Sequence, residues 1–384
     1  MQGMDSSELT LSLHRAIAEI PVAEWDLCAG DNPFVSHAFL SALEDSGSAS
    51  AKTGWLPQHL ALRDAAGELV ACAPAYAKTH SYGEYVFDHG WAQAYEQAGG
   101  RYYPKLQVAV PFSPVPSPRL LRRPGVPVAA LAQALTQAQK ALGCSSTHVT
   151  FCTEEEWLGL GEAGWLQRIG VQFHWQNQGY ASFEDFLAAF SSRKRKSLKR
   201  ERRAVAESGL TLRTLRGAEI TREHWAAFHG FYRNTVDARW GSAYINKSFW
   251  AMLGDRLGDR VVLMWAEREG KPVAGALNLL GREALYGRNW GCDEEVPFLH
   301  FELCYLRAID FAIQHGIGRV EAGAQGEHKI QRGYLPSLTY SAHLINHRGL
   351  SDAVARFLEH ERPAILGRME ELATLSPYRR DGEA

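Results

Sequence analysis

Six cysteines, at positions 28, 72, 144, 152, 292 and 304, are all this 384-residue chain contains. No two of them form a C-x-x-C pair or a regular spacing, which points to reduced thiols in a cytoplasmic protein rather than a disulfide framework. An excess of either charge is missing too. The 41 Lys and Arg oppose 43 Asp and Glu for a formal net charge of −2, at a pI near 6.7, which excludes a globally basic nucleic-acid binder; any polyanion has to be met by a local patch. No apolar run approaches the roughly 20 residues a membrane span needs. The opening MQGMDSSELTLSLHRAI has no basic-then-apolar leader pattern, and the expectation is a soluble, cytoplasmic chain. A G-x-S-x-G elbow, a G-x-x-x-x-G-K-[ST] loop and a dinucleotide fingerprint are also missing, which disfavours hydrolase, NTPase and dehydrogenase chemistry. His300 and Cys304 stand four apart, but nothing at zinc spacing completes them, and no metal is expected.

What is present is apolar and aromatic content, 46% and 11%, sufficient for a large core and two domains. The strand-like TLSLHRAI is followed by a break at Pro33 and an apolar helix in HAFLSALEDSG. HLALRDAAGELVACAPAYAK reads as two strands about a tight turn at Gly67, continued by YGEYVFD. A second hairpin, VVLMWAEREGKPVAGALNLL, turns at Gly270 and is continued by EALYGRNWG. Setting Gly67 on Gly270, a shift of 203 (270 − 67), also sets Val70 on Val273 and Ala71 on Ala274. A helix follows each, PVAALAQALTQAQKALG or PFLHFELCYLRAIDFAIQHG, and then a short strand, THVTF or GRVEAG. One unit written twice is the expectation. In the second helix Phe301, Tyr305, Ala308, Ile309, Ala312 and Ile313 share a face, between Pro297 and Gly316. The first half has an extra stretch, RYYPKLQVAVPFSPVPSPRLLRRPG, whose five prolines between 104 and 118 forbid a central strand over most of its length. It is read as an ordered lip or a surface connection.

Between the halves, SFEDFLAAFSSRKRKSLKRERRAVAESG reads as one helix, capped by Ser182, started on buried Phe183, Phe186, Leu187 and Phe190, and ended by Gly209. From 193 to 203 it holds eight Lys or Arg against one Glu. Arg193, Lys196, Arg200 and Arg203 recur every three or four residues and share a face, which suits a phosphate backbone met without base readout. A merely solvated face is the plainer alternative. Polar groups crowd most in VEAGAQGEHKIQRGYLP, at the carboxyl end of a strand beside a helix, where α/β proteins put chemistry. Glu321 ends that strand; Gln325, His328, Lys329 and Arg332 follow it.

Strand, turn, strand, splayed strand, helix, strand, met twice around a basic helix, resembles the tandem acyltransferase fold of the GNAT superfamily. More narrowly it resembles the Fem-like peptidoglycan biosynthesis/recognition group of N-acyltransferases. The carrying segments are SYGEYVFD, RYYPKLQVAVPFSPV, SSRKRKSLKRER, ALYGRNWG, LHFELCY and EAGAQGEHKIQRGYLP. The resemblance implies an α/β (α+β) fold of two GNAT-like units, residues 1–178 and 179–384, with mixed twisted sheets flanked by helices. It implies direct transfer of an acyl or aminoacyl group from acyl-CoA or aminoacyl-tRNA to an amine of a small molecule or cell-wall precursor, with no tightly bound cofactor. One element departs. The Arg/Gln-x-x-Gly-x-Gly/Ala turn that holds the coenzyme pyrophosphate on backbone amides is not found; RNWGCD comes nearest, with Arg288 and Gly291, but Asp293 there repels phosphate. An aminoacyl-tRNA carrier has no use for that turn, and the basic helix then becomes the phosphate site.

Direct transfer needs a base for the amine, a held carbonyl and donors for the developing oxyanion, but no covalent nucleophile. Glu321 is the first choice for base and His328 the second. Lys329 and Arg332, three apart, suit the oxyanion or an anionic carrier. Tyr286, Arg288 and Asn289 of the splayed strand, with Gln325 and Arg332, form the substrate-lining set. Against these stand a buried Glu321 bridging to Lys329 or Arg332, a structural His328 and, for the whole chain, a non-catalytic binding protein recognising a cell-wall or nucleic-acid ligand.

Overall fold

The structure, a computed structural model, describes residues 9–237, 243–324 and 326–379. The chain divides into two compact units, Met1–Gly170 with Leu338–Leu366, and Val171–Ser337 with Gly367–Ala384. All six cysteines are free. No helix among the described residues is long and apolar enough to cross a membrane.

The first unit contributes β1 (Thr10–His14), β2 (Trp55–Pro57), β3 (His59–Arg63), β4 (Leu69–Ala73), β5 (Ala75–Lys78), β6 (Lys105–Val108), β7 (Leu121–Arg122) and β8 (Ser146–Cys152). An antiparallel sheet runs β1-β3-β4-β7. Its β3–β4 turn is closed by Asp64, whose Oδ1 accepts the Ala66 and Glu68 amides at 3.0 and 2.9 Å, and by Gly67 at φ +82°, a conformation open to glycine. In the other sheet β6 and β8 are parallel and joined through the helix Val128–Ala141. Leu131, Leu135 and Ala138 of that helix are wholly buried with Leu60, Val108 and Val149; each such Leu or Val stabilises by roughly 1.5–3 kcal/mol.

Two expectations are overturned here. YGEYVFD is not a strand, because its acids turn inward. Glu84 and Asp88, each 3% exposed, accept hydrogen bonds from the fully buried Lys105 ammonium at 2.7 and 2.5 Å, and Ser81 Oγ takes a third at 2.8 Å. Tyr102 adds a donor to Asp88 at 2.7 Å. Three buried charges are tolerable only because they are paired and hydrogen-bonded. The strand in that place is instead KLQV, β6, inside the proline-rich stretch. The rest of that stretch is no lip, for Val110, Phe112 and Val115 are buried and Arg119 is fully enclosed. The Arg119 guanidinium ties this stretch to β8, donating to Val115 O at 2.8 Å and to Thr150 O of β8 at 2.9 Å.

In chain order the remaining strands are β9 (Leu166–Gln176), β10 (Thr211–Arg216), β11 (Val261–Arg268), β12 (Lys271–Leu280), β13 (Ala284–Cys292), β14 (Arg319–Glu321) and β15 (Leu335–Ile345). β10 to β13 form an antiparallel run, β14 adds parallel to β13, and β9 adds antiparallel to β14. In the first unit the corresponding place beside β8 is taken by β15. The expected helix between β13 and β14 is present, with Gly316 at φ +66° after it, but it is not regular: Leu299–Phe301 and Arg307–Gln314 are α-helical, and Glu302–Leu306 between them is a π-turn. Its apolar face packs with Phe173, Trp175, Val262 and Leu285 in one core.

The basic segment is two helices, Phe183–Ala188 and Ser192–Ala206, not one. Ser182 caps the first as expected, accepting from the Asp185 amide. The break follows from competition for backbone groups. Phe190 bridges Tyr378, Ser191 N–H donates to Pro377 O and Arg379 N–H to Ala189 O, so these groups are lost to a helical ladder.

Candidate functional site

The parallel register of β13 on β14 sets Tyr286 beside Glu321, and the antiparallel register of β9 sets His174 on its other side. Cross-strand neighbours share a face, so three polar side chains meet at the carboxyl end of β14. Glu321, 2% exposed, accepts from Arg319 Nε at 3.0 Å and lies 3.9 Å from His174 Nε2. Burial, helped by Arg319 and Lys329, lowers the His174 pKa to about 3, so that imidazole is neutral. Burial and the Glu321 charge push the Tyr286 phenol up to about 12. Among the described residues Glu321 thus pairs with Arg319, two residues back on its own strand, and not with Lys329 or Arg332.

A two-turn 3₁₀ segment, Glu327–Arg332, carries the next three candidates. Lys329 is 2% exposed. Its ammonium donates to Gly323 O at 2.8 Å, and burial lowers its pKa to about 8. His328 is exposed; its Nε2 shares a 3.0 Å hydrogen bond with the Tyr305 hydroxyl, within a group of rings that includes His300 and Phe301. Arg332 is tied down: it donates to Glu201 Oε2 at 2.9 Å and to His328 O at 3.0 Å, and lies 3.5 Å over the Phe301 ring. Gln331 receives Lys194. Two bonds therefore join this turn to the basic helix.

On β13 the register slips opposite Leu277 and Asn278, where Gly287 and Asn289 are paired and Arg288 is the extra residue. Such a bulge re-aims side chains. Gln325 lies outside the described residues. Arg193, Lys196, Arg200 and Arg203 are all exposed on the outer face of Ser192–Ala206, while Lys194, Leu198, Glu201, Arg202 and Val205 face the protein. None of the four is paired with a described acid. The structure therefore groups Tyr286 with Glu321, and His328, Lys329 and Arg332 with one another, and sets the four cations on a separate surface. Unforeseen members are His174, Arg319 and Tyr305. Arg319 was within reach, since i and i+2 on a strand share a face; His174 lies on a strand from the first half of the chain and left no local signal. Among the described residues no group of three His, Cys, Asp or Glu could hold a metal.

The FemAB-like family model, described as peptidoglycan biosynthesis/recognition, matches residues 16–380. The chain belongs to the FemAB-like family. Among proteins of curated function no sequence match to this FemAB-like chain is found. Its fold is shared with FemX, at a TM-score of 0.53 and 12% identity over 88% of this chain and 98% of that one. The C-terminal domain of a putative lysylphosphatidylglycerol synthetase from Agrobacterium fabrum gives 0.54 and 10% over 88% and 96%. The L-PGS of Bacillus licheniformis gives 0.52 and 11% over 85% and 97%. The FemAB-like chain thus has the expected fold, a tandem pair of GNAT-like units with mixed sheets.

Proposed function

We propose that this protein is an N-acyltransferase that moves an acyl or aminoacyl group from CoA or tRNA to the amine of a cell-wall precursor, at the carboxyl end of β14. The observation that carries the reading is Lys329. An ammonium has three donors, and among the described residues this buried one spends a single donor, on Gly323 O. A buried cation with donors to spare suits an oxyanion that exists only in the transition state, where a preorganised donor is worth the most.

The chemistry is direct. Glu321 takes a proton from the acceptor ammonium; the free amine attacks the thioester or ester carbonyl; the oxyanion forms against Lys329. The attack makes the C–N bond, and collapse of the oxyanion restores the carbonyl and breaks C–S or C–O. A proton from the attacking nitrogen ends on the leaving thiol or hydroxyl, which the Tyr305–His328 pair is suited to relay. The family description, peptidoglycan biosynthesis/recognition, and the FemX likeness support a cell-wall acceptor. The lysylphosphatidylglycerol synthetase names support an aminoacyl donor on this fold.

The test is transfer measured by mass spectrometry, from acetyl-CoA and from aminoacyl-tRNA, to a muramyl-pentapeptide precursor and a panel of simple amines. Lys329→Met is expected to lower the rate about 10²–10³-fold, and Glu321→Gln about 10²-fold. Full activity in either variant removes the role given to that residue. Acceptor binding without transfer from either donor would leave a binding protein in place of the enzyme.

A further inference from the structure

At the carboxyl end of the basic helix an open depression of about 330 Å³ is lined by Arg202, Arg203, Val205, Ala206, Leu212, Glu302 and Arg307. Three guanidinium groups surround an apolar floor of Val205, Ala206 and Leu212. Arg202 is committed, donating to Glu302 at 3.2 Å and Asp310 at 3.3 Å. Neither of the other two makes a close ion pair with a described acid, although the charges of Glu302 and Asp310 act on Arg307 at longer range. Arg203 is exposed, and Arg307 has one long bond, to Thr214 Oγ1 at 3.3 Å, with its Nε buried and without a partner. Glu302, 4% exposed, also has a buried oxygen, Oε2, without a partner.

A guanidinium with an unspent buried N–H beside an apolar floor is matched by a ligand that is planar and apolar at one end and anionic at the other. The volume is at the low end of small-molecule sites, which run from about 300 Å³; it admits one nucleotide and not a whole acyl carrier. We infer that this depression binds a single nucleotide phosphate, base against Val205, Ala206 and Leu212 and phosphate on Arg203 and Arg307. Coenzyme A carries its adenine nucleotide at the end remote from the acyl group, so the pocket anchors that far end while the acyl end reaches β14. In an aminoacyl-tRNA the terminal adenosine itself bears the acyl group, and the pocket then holds a nucleotide further along the chain; this last step rests on the proposed function. The same helix serves both places. Glu302 and Arg307 face the depression, and Phe301 and Tyr305 face His328.

The probe is adenosine 3′,5′-bisphosphate, titrated against the purified full chain by calorimetry, with coenzyme A, a CCA-ended RNA oligonucleotide and inorganic phosphate as competitors. Saturable binding that weakens at least tenfold in Arg307→Gln and in Arg203→Gln is expected. Ala206→Trp keeps every charge but fills the depression, and should abolish binding while thermal melting remains that of the wild type. Competition by coenzyme A alone or by the oligonucleotide alone identifies the source of the nucleotide. No saturable binding, binding indifferent to all three variants, or inorganic phosphate competing as well as the nucleotide would overturn the assignment. Binding is read without turnover. Nucleotide binding without acyl transfer therefore sinks the proposed function and keeps the pocket, and transfer without nucleotide binding does the reverse.

Discussion

At the scale of the residue, Lys329 carries a signature in pH. Burial holds its pKa at about 8, below the ordinary 10.5, so the ammonium is present at neutral pH and is lost just above it. If that ammonium stabilises the oxyanion, kcat falls with rising pH through about 8, and Lys329→Arg, which cannot lose its proton there, moves the fall upward. A pH–rate profile with no alkaline limb near 8 in the wild type would contradict this. Stability runs the other way. Between pH 8 and 10.5 the unfolded chain still binds a proton that the folded chain has shed, so this lysine's penalty is relieved as pH rises. Urea denaturation should show the wild type gaining on Lys329→Met across that window. None of this was legible in EHKIQRG, where the lysine looks like any exposed cation; its burial brings it near Cys304, which lies on a helix distant in sequence. The carboxylate was legible, because a lone Glu ending a β-branched strand before Gly323 is conspicuous.

At the scale of the element, the turn that carries Lys329 is held at its far end by packing. Gly333 has φ +89°. A Cβ there would stand 2.5 Å from the Tyr378 hydroxyl and 3.1 Å from Phe186 and Phe190, and the Tyr378 hydroxyl donates to Gly333 O at 2.9 Å. Gly333→Ala therefore combines a disfavoured backbone with a clash, and is expected to cost more than about 1 kcal/mol. Thermal melting checks the stability. A transfer assay at a temperature where the variant is folded should show kcat reduced, since the turn can no longer seat Lys329; an unchanged kcat would mean that the seat does not depend on this end. The same packing explains why one basic helix was expected and two are found. Helical spacing runs through Phe190 and Ser191 without a flaw, and only a tail from the end of the chain, unreadable locally, claims their backbone. The π-turn at Glu302–Leu306 is hidden for the same reason, because apolar spacing was satisfied on both sides of it.

At the scale of the whole molecule, the repeat was readable because each unit needs the same parallel pair bridged by a helix, and hairpin, helix and strand recur in order. What the pattern could not convey is that β9 and β15 each complete the sheet of the other half, for a strand of either origin has the same alternation. Charge is likewise patterned at a scale the total conceals. A chain with net charge −2 keeps Arg193, Lys196, Arg200 and Arg203 along about 15 Å of one exposed helix face with no described acid paired to them. Held against a nucleic-acid backbone, four such contacts release counterions in proportion, each adding about 0.7 to 0.9 to the slope of log affinity against log salt. Titrating tRNA at several salt concentrations, wild type against the fourfold Gln variant, should show the slope falling by about 3. Coenzyme A binding, which meets only Arg203 of the four, should lose at most one contact's share of the slope, about 0.7 to 0.9. An equal slope for tRNA in both proteins, or saturable coenzyme A binding with no measurable tRNA binding, would leave the face as solvated charge and make CoA the carrier.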